Sequence, residues 1–169
     1  EIIKKWDELH RPFVTLTKSD EIRNLISIGE NKRIEFKETL RKNIHTNKID
    51  TEIEKTSLKN IVAFLNSDGG TLLIGVSDNG EIKGIENDIF TNKDKYLLHL
   101  TNLIKDKIGA SFFNLINHDI YEVENKLILM VECKTSKEDV FLNMKGEEEE
   151  YYIRTNPSAI RLKGSKLIK

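Results

Sequence analysis

The chain has 169 residues, 38% of them hydrophobic and 33% charged, with a formal net charge of −1. That is long enough for one domain with its own core, and too near neutral for a uniformly basic nucleic-acid coat. A lone cysteine excludes an intrachain disulfide, and no apolar run reaches the ~20 residues that cross a bilayer.

Taken in order, Glu1–His10 has Ile2, Ile3 and Trp6 on one side of a short helix that Pro12 ends. Residues 1–19 are assigned to this helix and a linker, and 20–169 to the domain. Ser19 or Thr17 is placed to cap a helix over Asp20–Ile28, closed by Gly29. Arg33–Leu40 alternates, Ile34 and Phe36 against Arg33, Glu35 and Lys37, which predicts a half-buried strand. Arg41–Lys48 reads as a polar loop. From Asp50 or Thr51 to Leu65, the stripe Ile53, Leu58, Ile61, Val62 and Leu65 predicts a long helix.

Asn66-Ser67-Asp68-Gly69-Gly70 breaks that helix, and the apolar run Thr71–Val76 predicts a central strand. The glycine pair precedes the strand and lacks the lysine of a phosphate-binding loop, so it reads as a helix-to-strand turn with positive φ. Asp78-Asn79-Gly80 signals a tight turn, with Glu81–Ile85 returning as a hairpin strand. Asn92–Ile108 has the spacing of a helix. Phe112–Glu124 and Lys126–Lys134 read as strands joined at Glu124-Asn125, the second carrying Cys133 as a core thiol in a reducing, cytoplasmic setting. Val140–Leu142 and Tyr151–Arg154 are short strands around the acidic run Glu147–Glu150, and Ser158 is placed to cap a last short helix. This order predicts an α+β fold with helices packed on a mostly antiparallel mixed sheet.

The residues able to carry chemistry are few. Glu30 and Glu35 flank the start of one strand and Asp78 ends another. Three carboxylates in one cleft stay ionised together only around a cation, and an all-oxygen set suits Mg²⁺ or Mn²⁺. Such an ion could activate water against a phosphodiester. Against this, Asp78 equally suits starting the Asp-Asn-Gly turn, and Glu35 a pairing with a lysine across strands. Lys37 is placed to steady developing charge, or to be a solvated strand lysine. Arg41, Lys42 and Lys48 form a basic loop able to touch phosphates. Tyr152 or Tyr151 could stack on a base while Arg154 holds a phosphate, or both could sit in an edge strand. The four histidines show no metal-ligand spacing, and with one cysteine a zinc site is not expected.

Several stretches together resemble the Schlafen AlbA-2 family: Glu30 through Glu35-Phe36-Lys37; Ile61-Val-Ala-Phe-Leu-Asn66 with Gly69-Gly70; Ile74-Gly-Val-Ser-Asp78-Asn-Gly80; and Tyr152-Ile-Arg154 with Ser158. The resemblance runs from about Glu30 to Leu162. It implies an α+β nucleic-acid-binding domain, with Glu30, Glu35 and Asp78 matching the catalytic carboxylates of animal Schlafen proteins, whose two lobes form an RNA-cleaving cleft. On this resemblance the chain is expected to be a metal-dependent endoribonuclease acting on structured RNA. The alternative is a non-catalytic DNA-binding module of a bacterial-type transcriptional regulator. A third reading is an oligomerisation or nucleotide-sensing domain. Only one lobe is present, so a two-lobed cleft implies a homodimer.

Overall fold

The computed structural model describes residues 15–164. The helix expected over Glu1–His10 lies outside them. Helix α1 spans Lys18–Ile28; its N-cap is Thr17, whose hydroxyl accepts the Asp20 amide at 3.1 Å while the Asp20 carboxylate accepts the Thr17 amide at 3.0 Å. The second long helix, α2 (Thr51–Leu65), starts at the Asp50 cap, and α3 (Lys93–Ile104) at the Asn92 cap. A π-helical turn over Lys105–Gly109 and a 3-10 segment over Ala110–Leu115 follow α3.

The central sheet has the order β1-β4-β6-β5, built from β1 (Ile34–Lys37), β4 (Gly70–Ile74), β6 (Lys126–Cys133) and β5 (Ile116–Val123). Only β1 and β4 run parallel; the other two pairings are antiparallel. A small β2-β3 hairpin (Lys42–Asn43, Lys48–Ile49) and a sheet of β7 (Phe141–Leu142), β8 (Glu150–Thr155) and β9 (Ser158–Leu162) complete an α+β fold with a mostly antiparallel sheet. No helix among the described residues is long and apolar enough to cross a membrane.

Alternation along the strands sorts the core into two layers. Leu72, Ile74, Leu129 and Val131 pack with Leu58, Ile61, Phe64 and Leu65 of α2 and Leu100 and Ile104 of α3. Leu73, Ile128, Met130 and Phe36 pack on the other face with Ile22 of α1. Strand β4 is therefore covered on both faces, as its unbroken apolar run requires.

Four local expectations change. Ser158 opens strand β9 rather than a helix, because Ser158–Leu162 finds a ladder partner in Thr155–Tyr151. The return strand after Gly80 is reduced to one bridge, Val76 to Ile82; the Lys83 and Gly84 amides then both converge on the Gly75 carbonyl, at 2.7 and 2.9 Å. Segment 41–48 is not a featureless loop, since it holds the β2-β3 ladder. Residues 112–115 belong to the 3-10 segment, so β5 starts at Ile116. The Glu124-Asn125 turn has positive φ at both residues (51° and 63°), the twist a two-residue hairpin requires.

Candidate nucleic-acid interface

The site forms where the link from α1, the end of β4 and the body of α2 meet β1. After Gly29 the chain closes a tight turn, the Asn31 amide reaching the Ile34 carbonyl at 3.0 Å. This folds Glu30 back over β1, where its Oε1 accepts the Phe36 amide at 2.9 Å. Burial pushes the Glu30 carboxyl above its ordinary range. The Phe36 hydrogen bond opposes the shift, and the negative charges of Glu35 and Asp78 add to it. Glu30 thus stands within the field of both other carboxylates.

Alternation puts Glu35 on the polar face of a half-buried strand. It is 8% exposed, because α2 and β8 cover that face of β1. Its Oε1 accepts the Lys37 ammonium at 2.6 Å and the Asn60 amide at 3.3 Å, and its Oε2 pairs with the Arg154 guanidinium at 2.7 Å. Lys37 also donates to the Phe36 carbonyl at 2.8 Å. Asp78 is exposed at the tip of its turn.

Arg154, expected to hold a phosphate, is turned inward and 4% exposed. Its guanidinium donates to Asn60 Oδ1 (3.0 Å) and to the Asn31 and Ile34 carbonyls (2.8 and 3.1 Å), and lies over the Phe64 ring. Tyr152 is also buried, its hydroxyl donating to Glu150 at 2.6 Å. Arg41 spans the base of the β2-β3 hairpin: its Nε donates to the Asp88 carbonyl at 2.8 Å and its guanidinium covers the Phe90 ring at 3.6 Å. Lys42 remains partly exposed at the groove, and neither it nor Lys48 nor Lys59 forms an ion pair among the described residues.

Two adjoining recesses result. One, about 700 Å³, runs between the β2-β3 hairpin and the Asp78 turn and is lined by Lys37, Lys42, Ile44, His45, Thr56 and Asp78 among others. The other, about 350 Å³, is lined by Glu30, Glu35, Lys37, Thr56, Lys59, Asn60 and Ser158. Lys37 and Thr56 border both, so the two recesses flank one another along β1 and α2, and together they are termed the groove. Lys59 and Asn60 escaped the sequence reading. A polar Asn60 set among Leu58, Ile61 and Val62 was the available signal, since a polar side chain inside an apolar stripe needs a buried partner.

A divalent ion needs carboxylate oxygens free to coordinate it. Both Glu35 oxygens are engaged by cations and one Glu30 oxygen by an amide. Among the described residues no group of three or more His, Cys, Asp or Glu side chains is arranged to hold a metal ion. While Lys37 and Arg154 hold it, Glu35 has neither oxygen free for Mg²⁺ or Mn²⁺.

Comparison with known proteins adds the following. The family model described as Schlafen, AlbA_2 matches residues 30–163. No curated protein matches the chain. Its fold is similar to that of the DIP2311 protein from Corynebacterium diphtheriae, at 15% identity and TM-score 0.54, over 83% of this chain and 25% of that one. The chain therefore spans about a quarter of that protein's length. It is also similar to the N-terminal domain of an ATP-dependent DNA helicase RecG-related protein from Nitrosomonas europaea, at 19% identity and TM-score 0.53, over 92% and 99% of the two chains.

Proposed function

Because the chain belongs to the Schlafen AlbA_2 family, we propose that it is a nucleic-acid-binding domain that grips the phosphate backbone along the groove beside β1. The observation that carries this is the set of cations there: Lys42 lines one recess and Lys59 the other, neither in an ion pair among the described residues, and Lys37, paired with Glu35, borders both. Lysines without an ion-pair partner among the described residues are points of positive charge that a polyanion exploits by releasing its counterions. Glu35 is neutralised by Lys37 and Arg154, and Glu81 by Lys83; Glu30, Glu38 and Asp78 also line the groove. On this reading Arg154, Tyr152 and Arg41 shape the groove rather than touch the ligand. The nucleic-acid link implied by a helicase-related neighbour accords with it, the partner being RNA or DNA.

The test is fluorescence anisotropy with a labelled RNA hairpin and a DNA duplex across salt concentrations. Binding should weaken with salt, and Lys42→Gln with Lys59→Gln should flatten the logarithmic slope by about two, roughly one per phosphate contact. Failure to bind either probe at low salt would sink the proposal.

A second reading is cleavage of structured RNA with Mg²⁺ or Mn²⁺, through Glu30, Glu35 and Asp78 with Lys37. It is favoured by the position of Glu30 within the field of both other carboxylates. It requires Lys37 or Arg154 to release a Glu35 oxygen. Incubating the RNA hairpin with protein and Mn²⁺ tests it: cutting that is lost in Glu35→Gln and Asp78→Asn supports an endoribonuclease, and binding without cutting supports the non-catalytic module. A second copy of the chain would supply the opposite wall of a cleft in a C2 dimer, which sedimentation in the presence of RNA would reveal.

A further inference from the structure

We infer that the β2-β3 hairpin is the part of the groove that contacts bases: it acts as an apolar wedge set between lysines. This rests on the nucleic-acid-binding reading above and specifies how the ligand is held.

Residues 41–49, Arg-Lys-Asn-Ile-His-Thr-Asn-Lys-Ile, carry three Lys or Arg and no acidic residue. On this ribbon Ile44 is 50% exposed and Ile49 is 61% exposed. Register places Lys42 opposite Ile49 and Asn43 opposite Lys48, so an isoleucine and a lysine sit together at the ladder. Ile44, at the tip, lines the groove with Lys37, Lys42 and His45. A site that held phosphates alone would have no use for isoleucine there, because phosphate contacts are polar. Isoleucine is among the side chains that nucleic-acid-binding proteins press between base steps or onto sugars, with flanking cations on the phosphates.

The ribbon is also held rigidly at its base, as a wedge must be. The Asp88 carboxylate, fully buried, accepts the amides of Leu40 (2.7 Å), Arg41 (2.9 Å) and Lys42 (3.1 Å) and the Tyr96 hydroxyl (2.6 Å). Arg41 adds its bond to the Asp88 carbonyl, and the Asp50 amide closes the ribbon onto the Arg41 carbonyl at 2.8 Å. At the tip, Asn43 Oδ1 accepts the amides of His45 and Thr46 at 3.0 and 3.2 Å. The exposed isoleucines are therefore presented on a fixed backbone, and the entropy lost on binding is small. The ligand that fits is a base-stacked nucleic acid with an accessible shallow groove, the A-form stem of a structured RNA being the first choice.

The experiment compares the full chain with Ile44→Ser, Ile49→Ser and Lys48→Gln by anisotropy against an RNA stem-loop, over a salt series, with circular dichroism to verify folding. Both isoleucines are exposed, so the variants should fold. Each serine variant should bind about five- to ten-fold more weakly with an unchanged salt slope, because it removes an apolar contact and no counterion release. Lys48→Gln should instead flatten the slope by about one. If the wild-type chain binds the stem-loop and both serine variants bind within two-fold of it, the wedge is overturned while the nucleic-acid reading stands. If the serine variants bind as wild type but alter the oligomeric state in sedimentation, the isoleucines belong to an interface between copies, and the wedge is likewise overturned. If the wild-type chain binds no nucleic acid, both readings fall.

Discussion

Glu30 is a side chain that the fold treats badly. Its carboxyl is raised above the usual range, first by burial and then by Glu35 and Asp78. A carboxyl raised in the folded state favours the protonated fold, so its ionisation costs stability once pH exceeds the ordinary glutamate value. Glu30→Gln should keep an acceptor for the Phe36 amide and raise the melting temperature at pH 7. The gain should vanish as pH falls below about 4, where glutamate is protonated folded or unfolded. Melts of both proteins at the two pH values check this. A destabilising group kept in a groove is the pattern of a residue retained for binding or chemistry. Arg154 is the opposite case. Its side chain is fully buried against Glu35, so Arg154→Met should cost about 3–5 kcal/mol, by removing one of the two cations that hold a buried carboxylate and the donor to the Asn31 and Ile34 carbonyls. Adding Glu35→Gln should recover part of that loss in urea melts, because the half-compensated buried charge is then gone.

Among the elements, the hairpin base and the turn into β4 depend on single groups. Asp88→Ala leaves the amides of Leu40, Arg41 and Lys42 without their acceptor and should cost about 2–4 kcal/mol. Hydrogen exchange at those three amides should accelerate more than at β4. At Gly70 a Cβ would lie 2.4 Å from the Phe64 ring and 2.7 Å from the Arg33 carbonyl. Gly70→Ala should therefore cost more than ~2 kcal/mol, by forcing apart α2 and the β1-β4 pair. Thermal melts alongside Gly146→Ala, where nothing lies within 4 Å, separate crowding from the strain of a positive φ.

At the scale of the whole molecule, the groove is assembled from segments far apart in the chain: residues 30–37 with β1, the 41–49 ribbon, α2, the Asp78 turn and the β8-β9 hairpin. Glu35 and Arg154 are separated by most of the sequence yet lie 2.7 Å apart. A phosphate backbone bound along this groove would bridge all of these elements. Binding should raise the melting temperature with RNA concentration, as any ligand of the folded state does. The Lys42→Gln, Lys59→Gln protein should lose most of that increment at the same concentration.

Patterning alone determined much of this protein. Period-two and period-3.6 spacing located β1, β4, β6 and the three described helices, since each element must bury one face wherever it packs. The Thr17, Asp50 and Asn66-Gly70 boundaries follow from local cap and turn chemistry. The ordered motifs from Glu30 to Ser158 identified the family. Other features needed the tertiary structure, because they depend on what comes to lie across a strand. Alternation put Glu35 on the polar face of β1 without revealing that Asn60 and Arg154 close over that face. A Tyr-x-Arg strand cannot disclose whether its arginine faces solvent or a carboxylate some 120 residues away. Ser158 carries a cap residue's chemistry, but the free edge of β8 made it a strand. The anchoring of the 41–49 ribbon by Asp88 was likewise invisible, since a buried carboxylate finds its amides only when the chain is folded around it.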